Sequence, residues 1–460
     1  NFSSGSRGRG NLSSTANPYF LFPQIYNFRY NIYSSEWPVA NRAIELYLQK
    51  KSENEGWERQ INGLSNNEKA NLLLEKHTFK ELLADVEQRN LQNNIVGLEA
   101  SRLFARSEIN MGVDAFRDSL YAMLKRNTFL NIKFENMLDT LGEMSRTDLY
   151  SYLKEWEQLT PLPFYSIGEP ELTKVVNKGG EEFFVLKVLV SNNSDYDGII
   201  QMNVLQNGWW YQPMEDPRAR KKVEIAAHTS KEFVSVWEEQ IRDVEINTMV
   251  SGNLPYMIRQ SIGNVKQERN KIVKDTIYTL PESSLEMPGE VIVDNEDSTL
   301  FVLSTPAVVG LLPKWLDKVE DTSFKYSGIS WWRAPLQWTA TTNAKYYGKY
   351  IRSAYVIKSG DGSQTATWKI PVPEAGQYEL YYHVFKDDEL RWNDRLQGEY
   401  HFRVAYDSEM EDAYINLRKA NEGWEQLGTY YFSADTVRVV LTDECKLRSV
   451  TADAVKIVKR

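Results

Sequence analysis

The sequence has a single cysteine and only four histidines, and this scarcity excludes several kinds of site. Cys445 has no second cysteine with which to form an intrachain disulfide, and no cysteine-based zinc cluster can be assembled. The histidines show no His-x-x-x-His spacing, which would place two imidazoles on one helical face; they are His77, His228, His383 and His401. The sequence therefore predicts neither metal ligands nor a cofactor in this chain.

Long apolar runs and an excess of positive charge are also missing. No window of about 18 apolar residues occurs, so we predict no membrane-spanning helix. The 54 Lys and Arg residues are outnumbered by 63 Asp and Glu, and the net charge of -9 disfavours nucleic acid as a partner. The nucleophile elbow of serine hydrolases, the phosphate loop and the dinucleotide-binding glycine motif are absent as well. We predict no catalytic residue in this chain.

The composition that is present belongs to a multidomain globular protein. With 460 residues, 42% of them hydrophobic, two to four domains are expected at about 100 to 200 residues each. Residues 1–17 are rich in Ser, Gly and Arg and predict a disordered lead-in. Because the chain starts at Asn1 without a methionine, we expect it to be part of a longer protein.

Residues 18–163 predict a helical bundle, because their apolar side chains recur three, four and seven positions apart. Phe116, Leu120 and Leu124 form one such stripe. A hydroxyl residue precedes a carboxylate by three positions in the pairs Ser65 with Glu68, Thr78 with Glu81, and Ser145 with Asp148, the pattern of a helix start. The prolines at 161 and 163 end this helical region.

The apolar period changes to two after Phe164, which is typical of β-strands. We predict a small antiparallel, fibronectin-like β-sandwich over 164–256, a polar linker over 257–287, and a jelly-roll-like β-sandwich over 288–460. In the last region Tyr378, Leu380, Tyr382 and Val384 share one strand face. The predicted fold class is therefore α+β multidomain.

Aromatic residues are dense in this last region and suggest a ligand site. An aromatic ring stacks on the apolar face of a sugar while neighbouring polar groups bind its hydroxyls. The candidate ligand-binding residues are Trp331, Trp332, Arg333, Trp338, Tyr346, Tyr347 and Trp392, the last in the charged loop 386–395. The alternative is that about half of these rings fill the sandwich core or seal it against the neighbouring domain.

Two family resemblances follow from particular motifs. The segments Gly112–Leu120, Phe134–Leu138, Ser145–Leu149 and Pro161–Pro163 resemble the end of the catalytic domain of M1-family gluzincin aminopeptidases, in an order that covers residues 95–250. That resemblance implies a helical peptidase remnant followed by a sandwich. The family's His-Glu-x-x-His motif is not in this sequence, so zinc would require ligands upstream of Asn1.

The second resemblance covers residues 288–460 and is to the golvesin C-terminal and xanthan-lyase carbohydrate-binding-like domain. The residues that carry it are Val291–Asn295, Tyr346–Gly348, Thr365–Trp368, Glu374–Tyr378, Trp424, Gly428, Tyr431 and Ala452–Lys456. It implies a sandwich that binds sugar. An insertion between Ser304 and Ser330 departs from the family pattern and would alter a ligand surface.

This domain order resembles the C-terminal part of large Bacteroidetes envelope proteins, in which a peptidase-like region follows membrane-transporter segments. We therefore predict a non-catalytic, extracytoplasmic region, in the periplasm or at the cell surface, attached to a membrane through upstream residues. It would bind polysaccharide or another envelope component through the C-terminal sandwich. The alternatives are the C-terminal part of a zinc-dependent M1-type aminopeptidase and a structural module that interacts with a membrane transporter.

Overall fold

The computed structural model describes residues 31–49, 55–159, 161–205, 216–263, 265–269, 273–283, 285, 289–304, 324–329, 333–386, 398–407, 409–433 and 435–460. The chain divides into two compact units, one formed by residues 1–51 and 73–160 and the other by residues 52–72 and 161–460. Helices in the described residues are α1 (Ala40–Leu48), α2 (Glu55–Asn62), α3 (Asn66–Leu74), α4 (Phe79–Ala84), α5 (Gln92–Met111), α6 (Val113–Arg126), α7 (Phe134–Ser145) and α8 (Leu149–Lys154). None of them combines the length and the apolar composition that crossing a membrane requires.

The first unit is helical, with one small parallel pair of strands, β1 (Asn31–Tyr33) and β2 (Asn131–Lys133). Its core contains an aromatic cluster in which Trp156 lies 5.2 Å from Trp37 and 4.6 Å from Phe79 between ring centroids. Thr78 and Glu81 form a reciprocal capping box at the start of α4, as the sequence pattern predicts. Such caps satisfy backbone N–H groups that the first turn of a helix leaves without partners.

The second unit begins its β-structure with a sandwich of two sheets. Its strands are β3 (Tyr165–Ile167), β4 (Glu171–Val176), β5 (Glu182–Asn192), β6 (Gly198–Leu205), β7 (Arg220–Ile225), β8 (Thr229–Trp237), β9 (Asp243–Asn247), β10 (Met257–Ser261), β11 (Val265–Arg269) and β12 (Thr276–Pro281). One sheet has the order β10-β9-β6-β7 and the other β11-β4-β5-β8-β12, with β3 also on β5. The two sheets enclose a core that includes Leu186, Val188 and Trp237.

The predicted linker over residues 257–287 instead contains strands β10, β11 and β12. All three lie at sheet edges, where β11 pairs with β4 and β12 pairs with β8. Most side chains of β11 and β12 are exposed, from Lys266 to Arg269 and from Tyr278 to Pro281. An edge strand can be this polar because it buries little of its surface, and that polarity is why the sequence pattern indicated a linker.

The C-terminal sandwich contains the remaining strands of the described residues: β13 (Glu290–Val293), β14 (Phe301–Leu303), β15 (Thr339–Thr342), β16 (Ser353–Lys358), β17 (Thr365–Pro371), β18 (Gly376–Val384), β19 (Glu399–Tyr406), β20 (Glu409–Asn416), β21 (Gly423–Phe432), β22 (Thr436–Thr442), β23 (Ser449–Ala452) and β24 (Val455–Lys459). A four-stranded sheet has the order β13-β24-β18-β21 and a five-stranded sheet the order β14-β17-β22-β19-β20. A third sheet, β15-β16-β23, lies beside them. The core includes Trp368, Tyr382 and Phe402, all fully buried.

The segment 52–72 belongs to the second unit, although the sequence pattern assigned it to the helical domain. Leu64 is fully buried there in a cluster with Leu254, Tyr326 and Ala340. The Thr342 hydroxyl donates a hydrogen bond to the Gly63 carbonyl oxygen over 2.8 Å. Helix α2 and most of α3 therefore complete the β-rich unit.

Candidate functional site

The outer face of the four-stranded sheet is where β18 presents the side chains that do not enter the core. Tyr378, Leu380, Tyr382 and Val384 are all buried, so the alternate residues of β18 face outward. These alternate residues are Gln377, Glu379, Tyr381 and His383. On the neighbouring strand β21, Trp424 lies opposite His383 and Tyr431 lies opposite Gln377. Directly opposed residues share a sheet face, so these side chains form one surface.

A β-bulge places both Trp424 and Tyr431 on this outer face. Seven positions separate the two residues, and on a regular strand an odd separation would turn them to opposite faces. The register between β18 and β21 shifts between Leu380 and Tyr381, since Leu380 pairs with Gly428 whereas Tyr381 pairs with Gln426. Leu427 is the extra residue, and it restores the outward direction of both rings.

We call Tyr347, Tyr381, His383, Trp424 and Tyr431 the aromatic face. The Trp424 ring lies 5.0 Å from the Tyr347 ring and 5.1 Å from the His383 ring between centroids. Tyr431 is 65% exposed, and the other four residues are half-buried. Polar side chains lie between the rings, because Gln426 is opposite Tyr381 and Thr429 is opposite Glu379. This surface combines flat apolar rings with hydrogen-bonding groups.

A fully buried carboxylate, Asp453, fixes one end of the aromatic face. Its Oδ2 lies 2.9 Å from Nδ1 of His383, and the Tyr347 backbone N–H donates to both of its oxygens over 3.2 Å. Burial raises the pKa of the Asp453 carboxyl, and the neighbouring His383 opposes that shift. Asp453 therefore orients both His383 and the segment that contains Tyr347.

A lysine covers part of the two central rings. The Nζ of Lys456 lies 4.9 Å from the centroid of Trp424 and 5.3 Å from that of Tyr381. The same ammonium forms a 2.8 Å ion pair with Glu290. A cation above an aromatic ring is attracted by the ring's negative face, so Lys456 stabilises the orientation of both rings.

The structure places the candidate residues from the sequence in different surroundings. Tyr347 belongs to the aromatic face. Tyr346 is buried, with its ring 4.7 Å from Phe385, and Trp338 packs against the sandwich core as the alternative interpretation proposed. Arg333 is exposed. The remaining candidates, Trp331, Trp332 and Trp392, lie outside the described residues.

Sequence reasoning missed Tyr381, His383, Trp424, Tyr431 and Lys456 as site residues. For Tyr381 and His383 a signal was present, because they alternate with the core residues that the period-two pattern identified on β18. Trp424 and Tyr431 depend on the bulge, which the sequence pattern does not reveal. Among the described residues, no group of three or more His, Cys, Asp or Glu side chains is arranged to hold a metal ion.

Comparison with known families identifies the C-terminal part of the chain. Residues 332–459 match the Golvesin C-terminal domain, which confirms the predicted golvesin resemblance over this range. Every residue of the aromatic face lies within the match. No protein with a curated description matches the chain.

Among solved structures, the chain is similar at 11% identity to Bacteroides uniformis β-glucuronidase 2, both as a calcium-binding mutant and covalently bound to cyclophellitol-6-carboxylate aziridine. The mutant comparison covers 68% of this chain and 32% of the other, with a TM-score of 0.19. The chain thus spans about a third of the length of that structure. A likeness of this extent transfers no function.

Proposed function

We propose that the C-terminal sandwich binds polysaccharide, or another component of the cell envelope, through the aromatic face. The observation that carries this proposal is the placement of Tyr381, Trp424 and Tyr431 on one outer sheet surface. In this proposal the chain is a non-catalytic binding region that acts outside the cytoplasm. It positions a larger protein on its ligand.

The spacing of the rings favours an extended ligand. Trp424 and Tyr431 lie near the two ends of β21, and at about 3.4 Å per residue the distance along the strand is roughly 20 Å. A single sugar ring cannot reach both positions. The aromatic face therefore suits a saccharide chain of several units, whose sugar rings stack on separate aromatic rings.

The polar groups of this surface are held in place before any ligand binds. The Tyr381 hydroxyl donates to Oε2 of Glu379 over 2.6 Å, and Arg460 Nε donates to the other carboxylate oxygen over 2.9 Å. Gln426 donates to the Thr429 hydroxyl over 3.2 Å. Groups that are already ordered lose little conformational entropy on binding, so such a surface binds sugar hydroxyls at low cost.

Binding of the intact chain to a panel of polysaccharides tests the proposal. We expect Trp424→Ala and Tyr431→Ala each to weaken binding about tenfold or more, because a stacked ring contributes roughly 1.5 kcal/mol or more. Tyr278→Ala is the matched control, since Tyr278 is 50% exposed on β12 of the preceding sandwich. Unchanged affinity in the Trp424→Ala, Tyr431→Ala double variant, with an unchanged melting temperature, would contradict the proposal.

The peptidase and transporter-module alternatives stay predictions, as does the extracytoplasmic location. The apparent mass and membrane association of the native protein test the two alternatives and the predicted membrane attachment, using an antibody against this chain on fractionated source cells. A membrane-bound band far above 53.3 kDa would support a longer protein, in which zinc ligands and transporter segments should be sought upstream of Asn1. A freely soluble band near 53.3 kDa contradicts the M1-peptidase and membrane-attachment predictions.

A further inference from the structure

We propose that the outer face of the five-stranded sheet binds a carboxylate or sulfate group of an acidic polysaccharide. The residues assigned to this site are Lys369, Arg403 and Arg438, which we call the basic face. It lies on the opposite sheet from the aromatic face. The polysaccharide part of this inference rests on the proposed function, whereas the anion site rests on the geometry of these three residues.

Strand alternation turns all three side chains outward. Their neighbours in sequence, Trp368 and Ile370 on β17, Val437 and Val439 on β22, and Phe402 and Val404 on β19, are buried in the core. Lys369 lies directly opposite Arg438. Arg438 also lies opposite Ala405, two residues from Arg403, so the two arginines are diagonal neighbours. Opposed and diagonal side chains on a sheet lie about 5 Å and about 7 to 8 Å apart.

Within the described residues these cations have no anionic partner, unlike others in the same sandwich. Lys345 pairs with Glu422 and Lys456 with Glu290, each over 2.8 Å. None of Lys369, Arg403 and Arg438 forms an ion pair with a carboxylate in the part of the chain that the structure describes. Two like charges placed directly opposite each other on a sheet destabilise it. An anion bound between them would remove that repulsion.

Arg403 supplies a second, independent observation. Its Nε is buried and donates to no acceptor among the residues that the structure describes, although Arg403 as a whole is half-buried. Asp412 lies directly opposite Arg403, but its Oδ1 is 2.8 Å from Nε2 of His401. The His401 ring in turn stacks on Tyr414 at 4.9 Å. The carboxylate nearest in register is therefore hydrogen-bonded to His401 and forms no ion pair with Arg403.

The chemistry of these side chains favours a compact oxyanion. A guanidinium presents a planar fork of N–H donors that matches carboxylate and sulfate oxygens. The basic face spans only three adjacent strands, whereas nucleic acid requires a longer basic stripe. A polyuronate, which carries one carboxylate per sugar, fits this arrangement.

The test compares alginate with a neutral polysaccharide that binds the intact wild-type chain. We expect the Lys369→Gln, Arg438→Gln double variant to bind alginate about tenfold more weakly and the neutral polysaccharide equally well. The control is Lys358→Gln, Lys419→Gln, which removes the same charge at two exposed lysines elsewhere in the sandwich. Equal alginate affinity in the two double variants overturns the inference. Loss of neutral binding in Trp424→Ala is a separate result that concerns the aromatic face alone.

Melting temperatures in sodium glucuronate and sodium chloride at equal ionic strength give a second readout. Glucuronate should raise the melting temperature of wild type more than that of the Lys369→Gln, Arg438→Gln variant. Without glucuronate the variant should melt at or above the wild-type temperature, because the opposed charges are gone. If glucuronate stabilises wild type more than this variant but the two bind alginate equally tightly, the polysaccharide assignment is overturned. Equally tight binding of a single-stranded oligonucleotide would overturn the choice of ligand.

Discussion

Asp453 is the residue that joins the core of the C-terminal sandwich to its aromatic face. It is fully buried, yet its carboxylate accepts from the Tyr347 N–H and bonds the His383 ring. Its own backbone carbonyl accepts from the Trp368 indole N–H over 3.2 Å. One buried residue thus connects three segments distant in sequence, two through its side chain and one through its backbone carbonyl, and its role is visible only in three dimensions.

We predict that Asp453→Ala destabilises the sandwich by about 1 to 3 kcal/mol, because it leaves buried donors without an acceptor. Polysaccharide binding should weaken too, since Tyr347 and His383 lose their common anchor. Asp453→Asn keeps an acceptor oxygen and should show smaller effects. Chemical unfolding and polysaccharide-binding assays on the same preparations check both effects. Full affinity in folded Asp453→Ala would show that Asp453 does not orient the aromatic face.

His228 is an exposed residue with a left-handed backbone, and it bridges two carboxylates. Its Nε2 lies 2.8 Å from Asp195 and its Nδ1 lies 2.7 Å from Glu282. Hydrogen bonds to Asp195 and Glu282 raise the pKa of His228. Hydrogen bonds from Asn193 and His228 lower the pKa of Glu282. The bridge is therefore strongest when His228 is protonated and Glu282 is ionised.

We predict that the stabilisation from His228 is complete below its unfolded pKa of about 6.5 and is lost as the pH rises through its raised folded value. His228→Asn should flatten the dependence of unfolding free energy on pH as the pH rises above about 6.5, and asparagine tolerates the left-handed backbone. Urea unfolding across this range measures the effect, with His77→Asn, at an exposed position between α3 and α4, as control. An unchanged pH profile in His228→Asn would rule out the bridge as its source.

At the scale of elements, the bulge in β21 decides which rings share a surface. We predict that deletion of Leu427 leaves six positions between Trp424 and Tyr431, so that a regular strand keeps both rings on the outer face. Polysaccharide binding should then persist, while the loss of the Leu427 side chain destabilises the sheet. Leu427→Ala keeps the bulge and loses only the contact of this side chain with the core. It should therefore lower stability while binding persists. Loss of polysaccharide binding in either folded variant would contradict this account of the register.

Local sequence patterns predicted some helix starts correctly and others not. Ser65 with Glu68 and Thr78 with Glu81 both form reciprocal hydrogen bonds. Ser145 fits the same pattern, but it is the last residue of α7, and Asp148 caps α8 instead. The motif reports a local preference, whereas the packing of α7 determines where that helix ends. The edge strands and the aromatic face could not be predicted from local patterns for a related reason. The position of a strand at a sheet edge and the one-residue bulge both depend on the partner strands.

At the scale of the molecule, the two-unit division places α2 and most of α3 with the β-rich unit. We predict that Leu64→Ala, which empties a fully buried site, destabilises that unit by about 2 to 5 kcal/mol. Hydrogen exchange should accelerate around Leu254 and in β15, which pack in the same cluster. Leu138→Ala, at a buried site of α7, should instead accelerate exchange in the helical unit. Identical exchange patterns in the two variants would contradict the division.

The whole-molecule plan was the part that sequence could predict only coarsely. The change of apolar period near Phe164 predicts the boundary between the helices and the strands, because the period depends only on residues close in sequence. The return of residues 52–72 to the β-rich unit has no such signal, because the partners of this helical segment lie 190 to 279 residues further along the chain. Packing between residues so distant in sequence depends on which side chains become buried together, and the period of apolar residues does not reveal it.

The route of the chain has a consequence for a nicked molecule. The polypeptide passes between the two units at residues 51–52, 72–73 and 160–161, so they are joined by three covalent crossings. A protease cut just before Pro161 produces two bands on a denaturing gel. Under native conditions the N-terminal fragment stays attached, because its residues 52–72 remain packed in the other unit through Leu64 and Gly63.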